Sequence, residues 1–366
     1  MTKTKNICLP VLVVFLGFIT GCSNPSSPKK DELIAVKDML GREVFVPARI
    51  NRIVGIRAGA LRLLIYMDVT DKIVGIEQNE KQGSTPYVIT HPELASLPSI
   101  GPLMGGDAEL ILSSKPDIIF MTYTTTGDAD ALQHKTGIPV IALECPEFGM
   151  ARDKLFASLE LIGKVVDKKK RADSLIHYIK NSIADLDKRT SGIPDSEKPS
   201  VYIGGISYSG AHGINSTQPF YPPFMFVNAM NVASEIDKKL VSHVRGTYID
   251  IEQLILWNPD ILFIDESGLQ LVKKDIGKRT ALFNRLKAIQ ENKVYTLLPY
   301  NNYAINYEMV LANAWFTGKI LYPDRFKDIV IDDKTEEIYS MFLGKGISKE
   351  TKPYSNAFMT MNKNEF

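Results

Sequence analysis

Apolar positions along this chain follow two rhythms. Short unbroken runs occur at Arg52-Ile53-Val54-Gly55-Ile56, Ile73-Val74-Gly75-Ile76, Asp117-Ile118-Ile119-Phe120 and Pro139-Val140-Ile141-Ala142-Leu143. Later ones are Val201-Tyr202-Ile203-Gly204-Gly205, Asp260-Ile261-Leu262-Phe263 and Lys293-Val294-Tyr295-Thr296-Leu297. A strand that is apolar on both faces fits the interior of a parallel sheet. Between these runs the apolar positions take helical spacing, so strands and helices alternate and the class is α/β.

The pattern also repeats. The run from Glu109 through Pro116 and Asp117 to Phe120 aligns without gaps on Glu252 through Pro259 and Asp260 to Phe263. In each copy an acid opens a short helix, proline ends it and a buried strand follows. This predicts two similar α/β lobes, an N-terminal one over 36–148 and a C-terminal one over 192–345. From Met150 to Arg189 no proline intervenes, and Leu155, Leu159, Ile162, Val166, Leu175, Ile179, Ile183 and Leu186 hold one face of a helix. The spacing predicts an interlobe helix over 149–191, ~60 Å long if continuous. A kink near Val166-Asp167, or two shorter helices, is the other reading of this pattern. Residues 346–366 read as a polar C-terminal tail.

The N-terminus adds an address. Lys3 and Lys5 precede a broken apolar run from Ile7 to Ile19, too short for the ~20 apolar residues of a membrane span. It has the form of a secretory signal over 1–21. Ile19-Thr20-Gly21-Cys22 resembles a bacterial lipobox, which implies cleavage before Cys22, lipidation of its thiol and a polar tether over 22–35. The chain is thus expected to be exported and anchored at the outer face of the cytoplasmic membrane, or as a periplasmic lipoprotein. Loss of Lys3 and Lys5 takes the formal charge from +1 to −1, so no basic surface for nucleic acid is implied. Cys145 is then the one cysteine left without lipid, which excludes an internal disulfide and a cysteine metal cluster.

Asp38-x-Leu40-Gly41-Arg42-x-Val44-x-Val46-Pro47, the Arg52-Ile53-Val54 strand, the two Pro-Asp-strand units and the long helix together resemble class III substrate-binding proteins of ABC importers. The resemblance covers residues 36–345 and rests on the order of units, since each motif alone is weak. It implies two Rossmann-like lobes joined by a long interlobe helix, a ligand cleft between them, and docking onto a permease dimer with its ATPase. It further implies that one glutamate per lobe pairs with permease arginines, here Glu109 and Glu252. Helix capping is the alternative role for both. The ligands implied are ferric siderophores or haem, with cobalamin, a metal ion or a molybdate- or tungstate-type oxyanion as alternatives. No enzymatic acid–base pair, resident cofactor or directly bound metal is expected, although a tetrapyrrole chelatase shares this kind of scaffold.

In such sheets the ligand lies outside the carboxyl ends of the strands. The loops there are rich in tyrosine, threonine and asparagine, a neutral lining with aromatic faces. The expected ligand-binding residues are Arg57, Tyr123, Tyr208, His212, Tyr221, Tyr300, Tyr303 and Arg245. Three uses stay open for the uncharged, glycine-rich stretch 205–224. It packs on itself, it contacts the organic shell of a ligand, or His212 and Tyr208 ligate the iron of a bound complex.

Overall fold

The computed structural model describes residues 1–2, 33–81, 83, 85–102, 105–207, 210–236, 246–347, 354 and 356–366. Cys22, Tyr208, Arg245 and nearly all of the expected signal and tether lie outside these residues. Strand β1 (Leu33–Lys37) begins within the stretch expected as tether and pairs antiparallel with β2 (Glu43–Pro47). Val36, Val44 and Val46 anchor this hairpin in the core.

Two parallel sheets follow. The first contains β3 (Ile53–Ile56), β4 (Ile73–Gly75), β5 (Ile118–Met121) and β6 (Val140–Ala142), in the order β4-β3-β5-β6. The second half supplies β7 (Ser200–Gly204), β8 (Ser216–Thr217), β9 (Met230–Asn231), β10 (Thr247–Tyr248), β11 (Ile261–Asp265), β12 (Val294–Leu297) and β13 (Thr360–Met361). Its sheet runs β9-β7-β11-β12-β13, with only β13 antiparallel. Strands β8 and β10 form a separate ribbon. The four parallel strands of each lobe thus share one order: second, first, third, fourth.

The apolar runs are explained by what lies on either side. In β5, Ile118 and Phe120 face a core shared by both lobes, while Ile119 and Met121 face the outer helices of the first lobe. In β11, Ile261 and Phe263 face the shared core, and Leu262 and Ile264 the outer layer of the second lobe. A strand covered on both sides has no polar face.

The Pro-Asp element also has a cause. Asp117 Oδ2 accepts from the backbone N–H of Asn51 (2.8 Å) and Arg52 (2.9 Å), at the entry to β3. Asp260 Oδ2 accepts from the N–H and hydroxyl of Ser200, both at 2.8 Å, at the entry to β7. Before each proline the chain turns left-handed, at Lys115 (φ 48°) and Asn258 (φ 44°). The duplication read from the sequence is therefore a repeated strand-capping device.

The expected rod over 149–191 is not continuous. Helices Arg152–Val165 and Lys169–Thr190 flank a turn at 166–168, where Asp167 is left-handed (φ 57°) and Lys168 N–H reaches Gly163 O at 2.8 Å. The two helices fold back on each other. A Cβ at Gly163 would lie 3.0 Å from Ala172 Cβ, and Lys180 Nζ sits 5.1 Å from the Phe156 ring centre. The long helix of the fold is the second one, ~33 Å at 1.5 Å per residue. It leans on the buried Tyr307–Leu321 helix, where Trp315 Nε1 donates to Ser182 Oγ (2.9 Å). Its start reaches the first lobe, where Arg171 Nε donates to Tyr66 O (2.7 Å).

The C-terminal residues are not a free tail. Strand β13 covers the edge of β12, and Phe358 stacks on Phe316 with centroids 4.6 Å apart. An uncovered edge strand invites pairing with another chain, and the terminus closes it. No described helix is long and apolar enough to cross a membrane.

Candidate functional site

The loops at the carboxyl ends of the two sheets meet in direct contact. On the first lobe, β3 leads into Arg57 (φ 68°) and Gly59 (φ 90°). A Cβ at Gly59 would stand 2.8 Å from Cys145 Sγ, so only glycine lets these loops approach so closely. The Arg57 guanidinium donates to Tyr123 O and to Asp128 Oδ2 (3.3 Å). Tyr123 follows β5 with its ring half exposed (52%) and its hydroxyl donating to Cys145 O at 3.1 Å.

Glu77, at the end of β4, is the junction of this wall. It is 1% exposed and accepts from Arg57 N–H (3.1 Å), Gly105 N–H (2.9 Å) and the hydroxyl of Tyr303 (2.7 Å). Tyr303 belongs to the second lobe, so this hydrogen bond joins the two lobes.

On the second lobe, Gly205 N–H reaches Gly213 O (3.1 Å). Ser207, Gly210, Ala211, Ser267, Pro299, Asn301, Asn302 and Tyr303, with Tyr354, line a pocket of about 400 Å³. Asn301 Nδ2 donates to Ser207 O (2.8 Å) and Asn302 Nδ2 to Tyr354 OH (3.1 Å), so these side chains are fixed. Behind this wall Asp265 is fully buried. Burial pushes its carboxyl up to about 7, against the hydrogen bonds from the N–H and hydroxyl of Ser267.

Of the residues expected at the ligand, Tyr303 lines the pocket, and Arg57, bonded to Tyr123 O, is linked to Tyr303 through Glu77. His212 stands beside the lining residue Ala211 and bonds Tyr248 OH through Nδ1 (2.8 Å), with the two rings edge to face. Tyr221 and Tyr300 need correction. They are 0% and 4% exposed and pack against each other in the second lobe's core, with Tyr300 OH donating to Gln218 Oε1 (2.6 Å). They brace the wall from behind and present no face to a ligand. Tyr208 and Arg245 lie outside the described residues.

Glu109 and Glu252 are exposed, each the second residue of a short helix, Ala108–Ser113 and Ile251–Trp257. The residues missed at the cleft are Tyr354, whose composition-poor neighbourhood gave no signal, and Arg62. The signal for Arg62 was a lone charge inside the apolar helix Ala60–Tyr66. Among the described residues no three His, Cys, Asp or Glu side chains are placed to hold a metal ion.

Comparison with known proteins accords with this architecture. The model of the periplasmic binding protein family matches residues 53–300. The molybdate-binding protein MolA of Haemophilus influenzae is 25% identical, over 93% of this chain and 96% of that protein. The ABC transporter substrate-binding lipoprotein YvrC of Bacillus subtilis is 21% identical, over 90% of this chain and 100% of its own length. A periplasmic solute binding protein of Veillonella parvula superposes with a TM-score of 0.68 at 22% identity, covering 88% of this chain and 96% of that one. The family match spans well over half of the sequence, and the chain belongs to the periplasmic binding protein family. It is a solute-binding protein of an ABC transporter, not an enzyme.

Proposed function

We propose that this periplasmic binding protein captures a small oxyanion of the molybdate class and hands it to its importer. The observation that carries this reading is the chemistry of the 400 Å³ pocket. Its described lining is neutral and carries no carboxylate. Asn301 and Asn302 are each anchored through one amide N–H and keep the second for a ligand, while the hydroxyls of Ser207 and Ser267 already donate to Gly210 O and Asp265 Oδ1. A fixed array of neutral donors suits a weakly basic oxyanion, because it supplies hydrogen bonds without a counter-charge that must first be desolvated. The volume lies near the lower end for ligand sites, which favours a compact ligand. Similarity to the molybdate-binding MolA over nearly the whole length supports the same class.

An iron complex is the second reading. The exposed ring of Tyr123 and the imidazole–phenol pair of His212 and Tyr248 favour it, as aromatic surface and iron-ligating groups. In either case Cys22 is the proposed lipid anchor, residues 23–32 its tether, and Glu109 and Glu252 the contacts to a permease dimer. Their exposed, repeated positions fit a two-fold partner.

Native mass spectrometry and calorimetry with molybdate, tungstate, sulfate, a ferric siderophore and haem test the ligand. Retention of molybdate and tungstate is expected. Retention of the siderophore or haem alone would replace the oxyanion with the iron complex.

A further inference from the structure

We propose that Arg62 is a positioning residue for the ligand cleft: from the core of one lobe it shapes the loop that the other lobe presents to the ligand. Arg62 sits in the apolar helix Ala60–Tyr66 and is fully buried. Its guanidinium crosses the lobe boundary. Nη1 donates to Ile305 O (2.9 Å), and Nη2 donates to Tyr303 O (2.7 Å) and Asn302 O (3.1 Å). Those carbonyls belong to one turn, in which Tyr303 (φ 48°) and Ala304 (φ 66°) are consecutive left-handed residues without glycine. Such a conformation is strained for residues with a Cβ and persists only where the surroundings hold it.

The charges around Arg62 explain why its donors go to this turn. Tyr87 lies under the guanidinium, 4.8 Å from ring centre to Cζ, and donates to Glu80 Oε2 at 2.5 Å. Tyr66 likewise donates to Glu308 Oε2. Two buried carboxyls thus face the cation, each served by a phenol, while the planar fork is spent on three carbonyls. Burial pushes both carboxyls up, Glu80 to about 7. A lysine cannot reproduce the fork, because a single ammonium cannot span three acceptors in that plane.

The turn is the part of the cleft that matters. It ends the 299–303 wall, directs Asn301 and Asn302, and carries the Tyr303 hydroxyl to Glu77. Cys145 reports on it. Gly59 separates them, since a Cβ there would lie 2.8 Å from Cys145 Sγ and 3.2 Å from Ala304 Cβ. The ligand arm of the test rests on the oxyanion reading, and the thiol arm does not.

In the full chain with Cys8→Ser and Cys22→Ser, Cys145 is the single thiol. Arg62→Lys is expected to speed its labelling by a disulfide reagent at least tenfold and to weaken molybdate binding at least tenfold. Ala304→Gly, which relieves the strain at one of the two left-handed positions, is expected to restore at least part of both in the double variant, and to restore folding if Arg62→Lys alone fails to fold. Val272→Ala, in the outer core of the second lobe, serves as a destabilised control whose molybdate affinity should stay within about twofold. Unchanged labelling in Arg62→Lys, no rescue by Ala304→Gly, or an affinity loss no larger than the control's would overturn the proposal. If wild-type protein binds no molybdate, the ligand reading fails, and the labelling and rescue results still decide the role of Arg62.

Discussion

The two lobes share a strand order, a capped strand entry and a glutamate-bearing helix, yet they divide the work unequally. The second lobe adds β13 and the Tyr307–Leu321 and Ile331–Leu343 helices, and it forms the pocket wall. The first contributes Glu77 and the buried cation Arg62, which fix that wall from across the boundary. Duplication therefore conserved what a sheet needs at its two ends. The binding face differs because each lobe there meets the other rather than a copy of itself.

The largest effect should come from breaking what is alike. Glu109→Arg with Glu252→Arg places cations where two equivalent anions are proposed to meet a permease. Cellular uptake should fall to background while the affinity of the purified protein for its ligand stays within about twofold. A weakened affinity instead would place these residues in ligand binding and end the docking assignment.

Next comes pH, where each lobe holds one buried carboxyl pushed up to about 7, Glu80 in the first and Asp265 in the second, both mainly by burial. A raised carboxyl binds its proton more tightly in the folded state. Its contribution is full below the unfolded pKa near 4 and declines as pH rises to about 7. Each such shift can remove up to ~3 kcal/mol between pH 4 and 7. Urea titrations of Glu80→Gln and Asp265→Asn should each flatten this fall in stability. A variant with the wild-type slope would mean that its acid is already ionised in the fold.

How far the sequence revealed this plan depended on whether the cause was local. The runs at β5 and β11 were legible because a strand covered on both faces shows no polar positions. The break at Asp167 was legible only as the alternative of a kink or two shorter helices near Val166-Asp167, since a non-glycine residue takes the left-handed turn and the helical rhythm resumes beyond it. Gly163, where a Cβ would lie 3.0 Å from Ala172 Cβ, is needed where the helices touch. Residues 346–366 looked polar on average, and the average hid Phe358 and Met361, which cover the edge of β12. At the cleft, composition identified tyrosine-rich loops but could not tell Tyr303, which faces Glu77, from Tyr300, which faces the core. Alternation does not operate in loops, so side-chain direction there is set by tertiary contacts.

A third comparison concerns the strand caps. Asp117→Ala leaves two backbone N–H groups without their acceptor, and Asp260→Ala leaves an N–H and a hydroxyl. Hydrogen bonds to a charged group suggest a loss of about 2 kcal/mol for each. Asp260 also accepts from Lys287 Nζ (2.6 Å), but the lysine is open to water, which screens the pair. Near-equal losses in denaturant unfolding are expected. A loss confined to one lobe would show that the second aspartate is a relic of the repeat.

The smallest effect separates two residues that the alignment makes equivalent, Asp107 and Asp250, each preceding its glutamate-bearing helix. Asp107 Oδ1 accepts from Glu109 N–H (2.9 Å) and Leu110 N–H (3.0 Å), a working N-cap. The Asp250 side chain makes no such bond, and its helix begins on the backbone carbonyl alone. Asp107→Ala should therefore cost about 1 kcal/mol and Asp250→Ala only a few tenths. Thermal unfolding resolves that difference. Equal losses would mean that both helices are capped alike in solution, and that the asymmetry between the lobes does not extend to the surface that carries the two glutamates.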